Sequence, residues 1–422
     1  MVDAAHLPAK DAAIHDCLVC GSDDVQPFLD LGDTAYANKF LAKDELSAPE
    51  PAAPLRVGFC PRCHHVQLTE LAPPSDLFEH YLYVSSASTT LTAHLEGLAQ
   101  TVVDREGLSA SDLVVDIGCN DGTLLSGFRK AGIEQTVGID PAANLAPLAQ
   151  EKGVEVMTAF FGPETAKEMR SRWRAAKAIT LTNSFPHIPD LDGLLRGFDT
   201  LLSDDGVIVL EAHYLGDLID MLAFDTVYHE HVSYWALGPA VRLFASHGFV
   251  VADVERLPIH HGQLRLWVRR AGQAKASPSV RDLLAEEARL GFDKLDTFNE
   301  FAARIGGIKQ RIRSWLDDCR AQGLKVAAYG APAKGNTLLS FLELGPDDLM
   351  YIADRSPLKQ GRFTPGTHIP VVPTERLLDD RPDCVLILAW NFVDEIVEQQ
   401  SAFLEAGGRF FVPVPELKQV AP

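Results

Sequence analysis

Residues 224–235, FDTVYHEHVSYW, place two histidines, a glutamate and two tyrosines within twelve positions. These side chains can take and give protons, the histidines near neutral pH, and packing alone makes poor use of such a group. Spacing constrains their partnership only in part. A helical stretch would put Tyr228 and His231 on one face, and an extended one would put His229 and His231 there. The bland alternative is an aromatic and polar patch that covers a sheet edge.

A second set of residues points to a metal. Cys17 and Cys20 form one C-x-x-C pair, and Cys60 and Cys63 form another, in a proline-rich, loop-rich segment. Each pair can hold two thiolates on one tight turn, and two pairs complete a tetrahedron around zinc. Four thiolates leave no open position, so the expected role is a structural staple. His64 and His65 are near enough to compete, but the set needs neither. Cys119, Cys319 and Cys384 are expected in core or bystander roles.

A third set forms a ligand loop. VVDIGCNDGTLL (114–125) runs from an apolar strand through Gly118 and Gly122 into a helix. Such glycines let a ligand approach the backbone, and the helix start offers free N–H groups. Asp140, at the end of the following strand, is placed to accept the hydroxyls of a ribose. A dinucleotide site would favour G-x-G-x-x-G around a pyrophosphate. This loop instead carries Asp116, Asn120 and Asp121, and its negative charge suits a cationic ligand. S-Adenosylmethionine, with a sulfonium and an ammonium and no phosphate, fits better than NAD.

The elements that must position these groups follow from the apolar patterning. Of 422 residues, 46% are hydrophobic and 23% charged, as in an ordinary globular protein, and the length calls for two or three domains. Residues 1–75 read as the zinc-binding domain. Residues 76–272 alternate helical spacing with short apolar runs, the pattern of a doubly wound parallel sheet. FVVADVERL and QLRLWVRR close it as an antiparallel hairpin, as methyltransferase sheets typically end. Residues 273–422 comprise a helical connection and a second, smaller α/β unit. The fold class is therefore α/β, a class I methyltransferase-type sheet between a small zinc-binding domain and a C-terminal Rossmann-like domain.

The formal charge of −20 disfavours nucleic acid and anionic membrane as partners. The N-terminal residues lack a basic start followed by an apolar core, and no apolar run reaches the ~18 residues of a membrane span. The expectation is a cytoplasmic protein, a monomer or small homo-oligomer. Weaker candidates are Asn183 and His187, then Glu211, at strand ends where ligands of open sheets sit. Ser85 and Ser88 of SSAS either grip the donor's carboxylate or cap a helix. GAPAKGN (330–336) with Arg355 and Ser356 offers local positive charge suited to a diphosphate, or else a plain strand–helix turn with a solvated lysine.

Together the paired C-x-x-C motifs, YLYVSSAS, VVDIGCNDGTLL, FDTVYHEHVSYW, YGAPAKGNTLL, DRSPLKQGRFTPGTHIPV and LAWNFVDEI resemble the nucleotide-sugar C-methyltransferases of deoxysugar biosynthesis, over nearly the full length. The resemblance implies methyl transfer to a sugar carbon, commonly C3, beside a ketone at C4. It implies His231 as the base, Tyr228 and Glu230 lining the site, and Tyr81 or Tyr83 from the N-terminal side. The residues themselves put His229 beside the substrate as a hydrogen-bonding side chain, with the role of base as its alternative. Lys334, Asn336, Arg355 and Ser356 would bind the nucleotide-diphosphate sugar. Many family members read HGGSLR where this chain has HHGQLR (260–265), which points to altered sugar contacts.

Overall fold

The computed structural model describes residues 16–78, 81, 83–259 and 262–420. Three strands near the N-terminus, β1 (Gln26–Ala35), β2 (Ala52–Phe59) and β3 (Val66–Leu68), pair antiparallel. The fourth strand of that sheet, Ser233–Tyr234, comes from the protonatable stretch itself and pairs with β3. The N-terminal sheet is thus completed by the segment that follows His231.

The central sheet holds β4 (Leu113–Ile117), β5 (Gln135–Ile139), β6 (Glu155–Met157), β7 (Ala176–Thr182) and β8 (Leu202–His213) in parallel. Counting Ser233–Tyr234 as β9, the sheet ends in β10 (Phe249–Leu257) and β11 (Gln263–Arg270). The order is β10-β11-β8-β7-β4-β5-β6, with β11 antiparallel to both neighbours. All five residues of β4 are buried, because helices cover both faces of a parallel sheet. The expected closing hairpin is therefore present, inserted so that β11 lies inside the edge.

The C-terminal sheet runs β14 (Val371–Val372), β13 (Ile352–Ala353), β12 (Val326–Tyr329), β15 (Cys384–Ile387), β16 (Arg409–Val412) and β17 (Lys418–Gln419). Only β17 is antiparallel. The 27-residue helix Leu295–Ala321 joins the parts. Its buried Phe298, Phe301, Ile305, Ile308, Ile312 and Leu316 recur every three or four positions, so one apolar stripe runs its whole length. At its start Phe298 packs on Phe28 and Phe59 of the N-terminal sheet, with ring centroids 5.2 and 4.9 Å apart. Among the described residues no helix is long and apolar enough to cross a membrane.

Candidate active site

The four thiols converge as the spacing requires. Their sulfur atoms all lie within 4.8 Å of one another, with Cys17 to Cys63 at 3.4 Å and Cys20 to Cys60 at 3.6 Å. Tetrahedral zinc with Zn–S bonds of about 2.3 Å needs sulfurs roughly 3.8 Å apart, so the set fits that ion. Each C-x-x-C turn is followed by a residue at positive φ, Gly21 at 63° and His64 at 67°. His64 is a turn residue. His65 is fully buried, with Nε2 3.1 Å from Ser233 Oγ and its ring 4.7 Å from Trp235. It fastens the zinc lobe to the segment after His231.

The glycine loop leaves β4 at Gly118 (φ 74°) and enters the Thr123–Lys130 helix at Gly122 (φ 73°). A Cβ on Gly118 would lie 2.6 Å from Ser184 Cβ, and one on Gly122 would lie 2.9 Å from Ala149 Cβ. Asp140 accepts the N–H groups of Asn120 and Ala142, both at 2.8 Å. Asp116 is buried and accepts from Thr180 Oγ1 at 2.7 Å, and its burial pushes the carboxyl up to about 7. Lys152, the ammonium at the loop, is held by Asp121 at 2.7 Å. The Asp121 and Asp140 carboxylates against one committed ammonium suit a cationic donor and would repel a pyrophosphate. The residues fit S-adenosylmethionine.

The segment before the first long helix lies over this loop. Asn120 accepts from Ser85 N–H at 2.9 Å and donates to Tyr83 C=O at 3.0 Å. Ser88 caps the Thr89–Glu106 helix, accepting from Leu91 N–H at 3.2 Å. The capping alternative is the arrangement found at Ser88. Asn183 stands at φ 60° and bonds Gln263 through its side chain. His260 and His261 of HHGQLR lie outside the described residues. Glu211 is fully buried and takes His94 Nε2 and Arg265 Nε, each at 2.7 Å.

The protonatable stretch divides its side chains among three directions. A turn bonds His231 N–H to Tyr228 C=O at 2.9 Å, which brings Tyr228 and His231 to one side. Tyr228 OH lies 2.8 Å from His231 Nε2, and Thr226 C=O lies 2.8 Å from Nδ1. A carbonyl only accepts, so Nδ1 carries the hydrogen and Nε2 presents its lone pair to the Tyr228 hydroxyl. Burial, with His187 beside it, pushes the imidazole down to about 3, which keeps it neutral. Centroids of His187 and His213 lie 5.0 and 5.3 Å from it.

Glu230 turns the other way. Asn38 of the zinc lobe donates to Oε1 at 2.7 Å and Tyr81 donates to Oε2 at 2.9 Å. Burial raises its carboxyl to about 7. Burial first, and then the Glu230 charge, hold the Tyr81 and Tyr228 phenols well above their ordinary value, as donors. Tyr83 is exposed, with its ring 6.5 Å from that of Tyr81. His229 faces the N-terminal sheet, where Nε2 donates to Ala53 C=O at 3.1 Å and Tyr36 meets the ring edge-on.

The Glu230 shift has a measurable consequence. A carboxyl raised from 4.5 to about 7 stabilises the fold fully below 4.5, and that contribution is lost as pH rises through 7. Glu230→Gln removes the titration. Its melting temperature relative to the unsubstituted protein should therefore rise between pH 5 and pH 8, corresponding to roughly a few kcal/mol at most. A pH-independent difference in thermal melts would contradict this.

The C-terminal candidates each have their own contacts. Lys334 stands 4.1 Å over the Trp390 ring, and Asn336 donates to Ala37 C=O at 2.6 Å. Arg355 is exposed and engages Glu395 and Gln399, while Ser356 N–H bonds Asp354. The cation that does face the Glu230 charge is Lys359, whose Nζ donates to Ala331 C=O at 2.7 Å. Spacing gave no signal for Lys359 or Asn38. Both reach the site only through domain packing.

The fold and its loop define an S-adenosylmethionine-dependent methyltransferase with a structural zinc lobe. Three family descriptions match in series: a zinc binding domain over residues 17–78, a methyltransferase domain over 91–254, and a C-methyltransferase C-terminal domain over 258–415. The C-methyltransferase NovU of Streptomyces niveus is 38% identical over 409 residues, 97% of each chain. The chain belongs to this family of three-module C-methyltransferases, the one its motifs pointed to. Among solved structures, a methyltransferase from Anabaena variabilis covers 42% of this chain and 84% of its own, at 15% identity and a TM-score of 0.34. Magnesium protoporphyrin IX methyltransferase from Synechocystis covers 43% and 83%, at 15% identity and a TM-score of 0.34.

Proposed function

We propose that this C-methyltransferase acts in the cytoplasm on C3 of a nucleotide-diphosphate 4-keto-deoxysugar, through an enolate formed with His231 as base. The observation that carries the reading is the Tyr228–His231 pair: Nδ1 is held by Thr226 C=O, so Nε2, whose lone pair faces the Tyr228 hydroxyl, is the nitrogen that can take a proton. Carbon has no lone pair to offer an electrophile. A neighbouring ketone makes its α-hydrogen acidic, and removing that hydrogen makes the carbon nucleophilic. S-Adenosylmethionine, bound at the glycine loop, supplies the electrophilic methyl group.

The chain's own residues divide the remaining work. His231 Nε2 takes the α-proton, and the Thr226 carbonyl stabilises the imidazolium that results. Tyr228, kept protonated, donates to the enolate oxygen as charge develops there. Glu230, aimed by Asn38 and Tyr81, accepts from a sugar hydroxyl. Lys359, whose ammonium is faced by the Asp354 and Glu230 charges, favours the ionised form of Glu230 beside the sugar. The sugar itself is supported by the motif resemblance.

A panel of keto-sugar nucleotides tests the reading. With the donor, NMR of the product should place the new methyl on the carbon beside the ketone. Without it, the same carbon should exchange hydrogen for deuterium in heavy water. A methyl on oxygen or nitrogen, or no exchange with any keto-sugar, would refute the proposal.

A further inference from the structure

In the C-terminal sheet β12 lies between β13 and β15, so the crevice between β12 and β15 is its topological switch point. Open α/β sheets bind ligands outside the carboxyl ends of their strands at such a point. The loop after β12 brings Lys334, on the Ala333–Leu342 helix, and the turn after β15 brings Trp390. The ammonium stands 4.1 Å over the indole. This is the place where a diphosphate would be sought.

A group from the methyltransferase domain already reaches it. Trp390 Nε1 donates to Asp225 Oδ2 at 2.7 Å, so the indole that carries Lys334 on its face also holds Asp225 at its edge. Asp225 is fully buried. The neighbouring Phe224, also fully buried, meets Phe341 of the same helix edge-on at 4.9 Å. From that helix Asn336 holds Ala37 C=O of the zinc lobe.

We infer that the switch-point crevice is an interdomain joint in which the Asp225 carboxylate takes the anion's place beside Lys334 and Trp390, and that Asp225 thereby positions the base. The residue after it, Thr226, supplies the carbonyl that holds His231 Nδ1. Asp225 touches no reacting atom and is a positioning residue. A buried carboxylate repels a second anion, so Lys334 does not hold the substrate's diphosphate. The positioning role rests on His231 being the base, whereas the joint does not.

The test is a double-mutant cycle in the full-length, zinc-loaded protein with Asp225→Asn, Lys334→Met and both together. Asp225 is fully buried and Lys334 half-buried on the same indole; removing one of two such opposite charges leaves the other uncompensated, and removing both does not. Each single variant should therefore lower Tm by at least about 3 °C, and the double by no more than the worse single. Additive losses, or no loss in either single, overturn the joint. Trp390→Phe, which removes the Nε1 donor and shrinks the ring while keeping both charges, serves if those singles do not fold. It should lower Tm measurably, and an unchanged Tm overturns the joint. Titration with thymidine 5′-diphosphate and guanosine 5′-diphosphate provides a second arm. Affinity that Lys334→Met weakens more than tenfold overturns the assignment. For the positioning role, Asp225→Asn should lower kcat about tenfold with KM changed less than threefold, and should shift the His231 imidazole nitrogen resonances. Unmoved resonances overturn that role while leaving the function proposed above intact.

Discussion

His231→Asn is expected to lower C-methylation by about 10²- to 10⁴-fold, the usual contribution of a positioned general base. Hydrogen exchange at the substrate's α-carbon should fall in step, because both need the same proton removed. Donor binding should survive, since the glycine loop and Asp140 lie on other strands and none of their hydrogen bonds includes His231. Calorimetric titration with S-adenosylmethionine measures one, and deuterium incorporation the other. Tyr228→Phe removes the hydroxyl that faces Nε2 and should leave exchange measurable but slow. Full exchange in His231→Asn would remove this residue as the base.

The second large effect concerns the metal. Structural zinc contributes about 10–16 kcal/mol in small cysteine sites, which is comparable to the whole stability of a domain, about 5–15 kcal/mol. Chelation, or Cys60→Ser, should therefore unfold the N-terminal lobe and lower Tm. The loss should extend to activity, because the lobe supplies Asn38 to Glu230 and its sheet takes the Ser233–Tyr234 strand beside His231. Metal analysis should find about one zinc per chain before chelation and none after. A metal-free protein with unchanged melting and turnover would refute the staple role.

Much of the site was legible because its signals are local. Two thiols on a C-x-x-C turn are close wherever the turn forms, and His64 at positive φ repeats the role of Gly21. The glycine loop and Asp140 were readable for the same reason, since a strand, a turn and the next strand fix their separation within a few residues. Ser88 stood between two readings, and only the Leu91 N–H placed beside its hydroxyl distinguishes the cap. The C-terminal candidates were harder. A basic residue after a strand looks the same whether or not an aromatic ring lies beneath it, as Trp390 does beneath Lys334.

The amino-acid order alone settled the class of molecule: thiols for zinc, an acidic glycine loop for a cationic methyl donor, and a run of proton carriers. Tertiary structure decided which partner each carrier has. Glu230 meets Asn38 across 192 positions of chain, and Trp390 meets Asp225 across 165. Such pairings depend on how whole domains dock through their apolar surfaces, and no spacing between neighbouring residues encodes that.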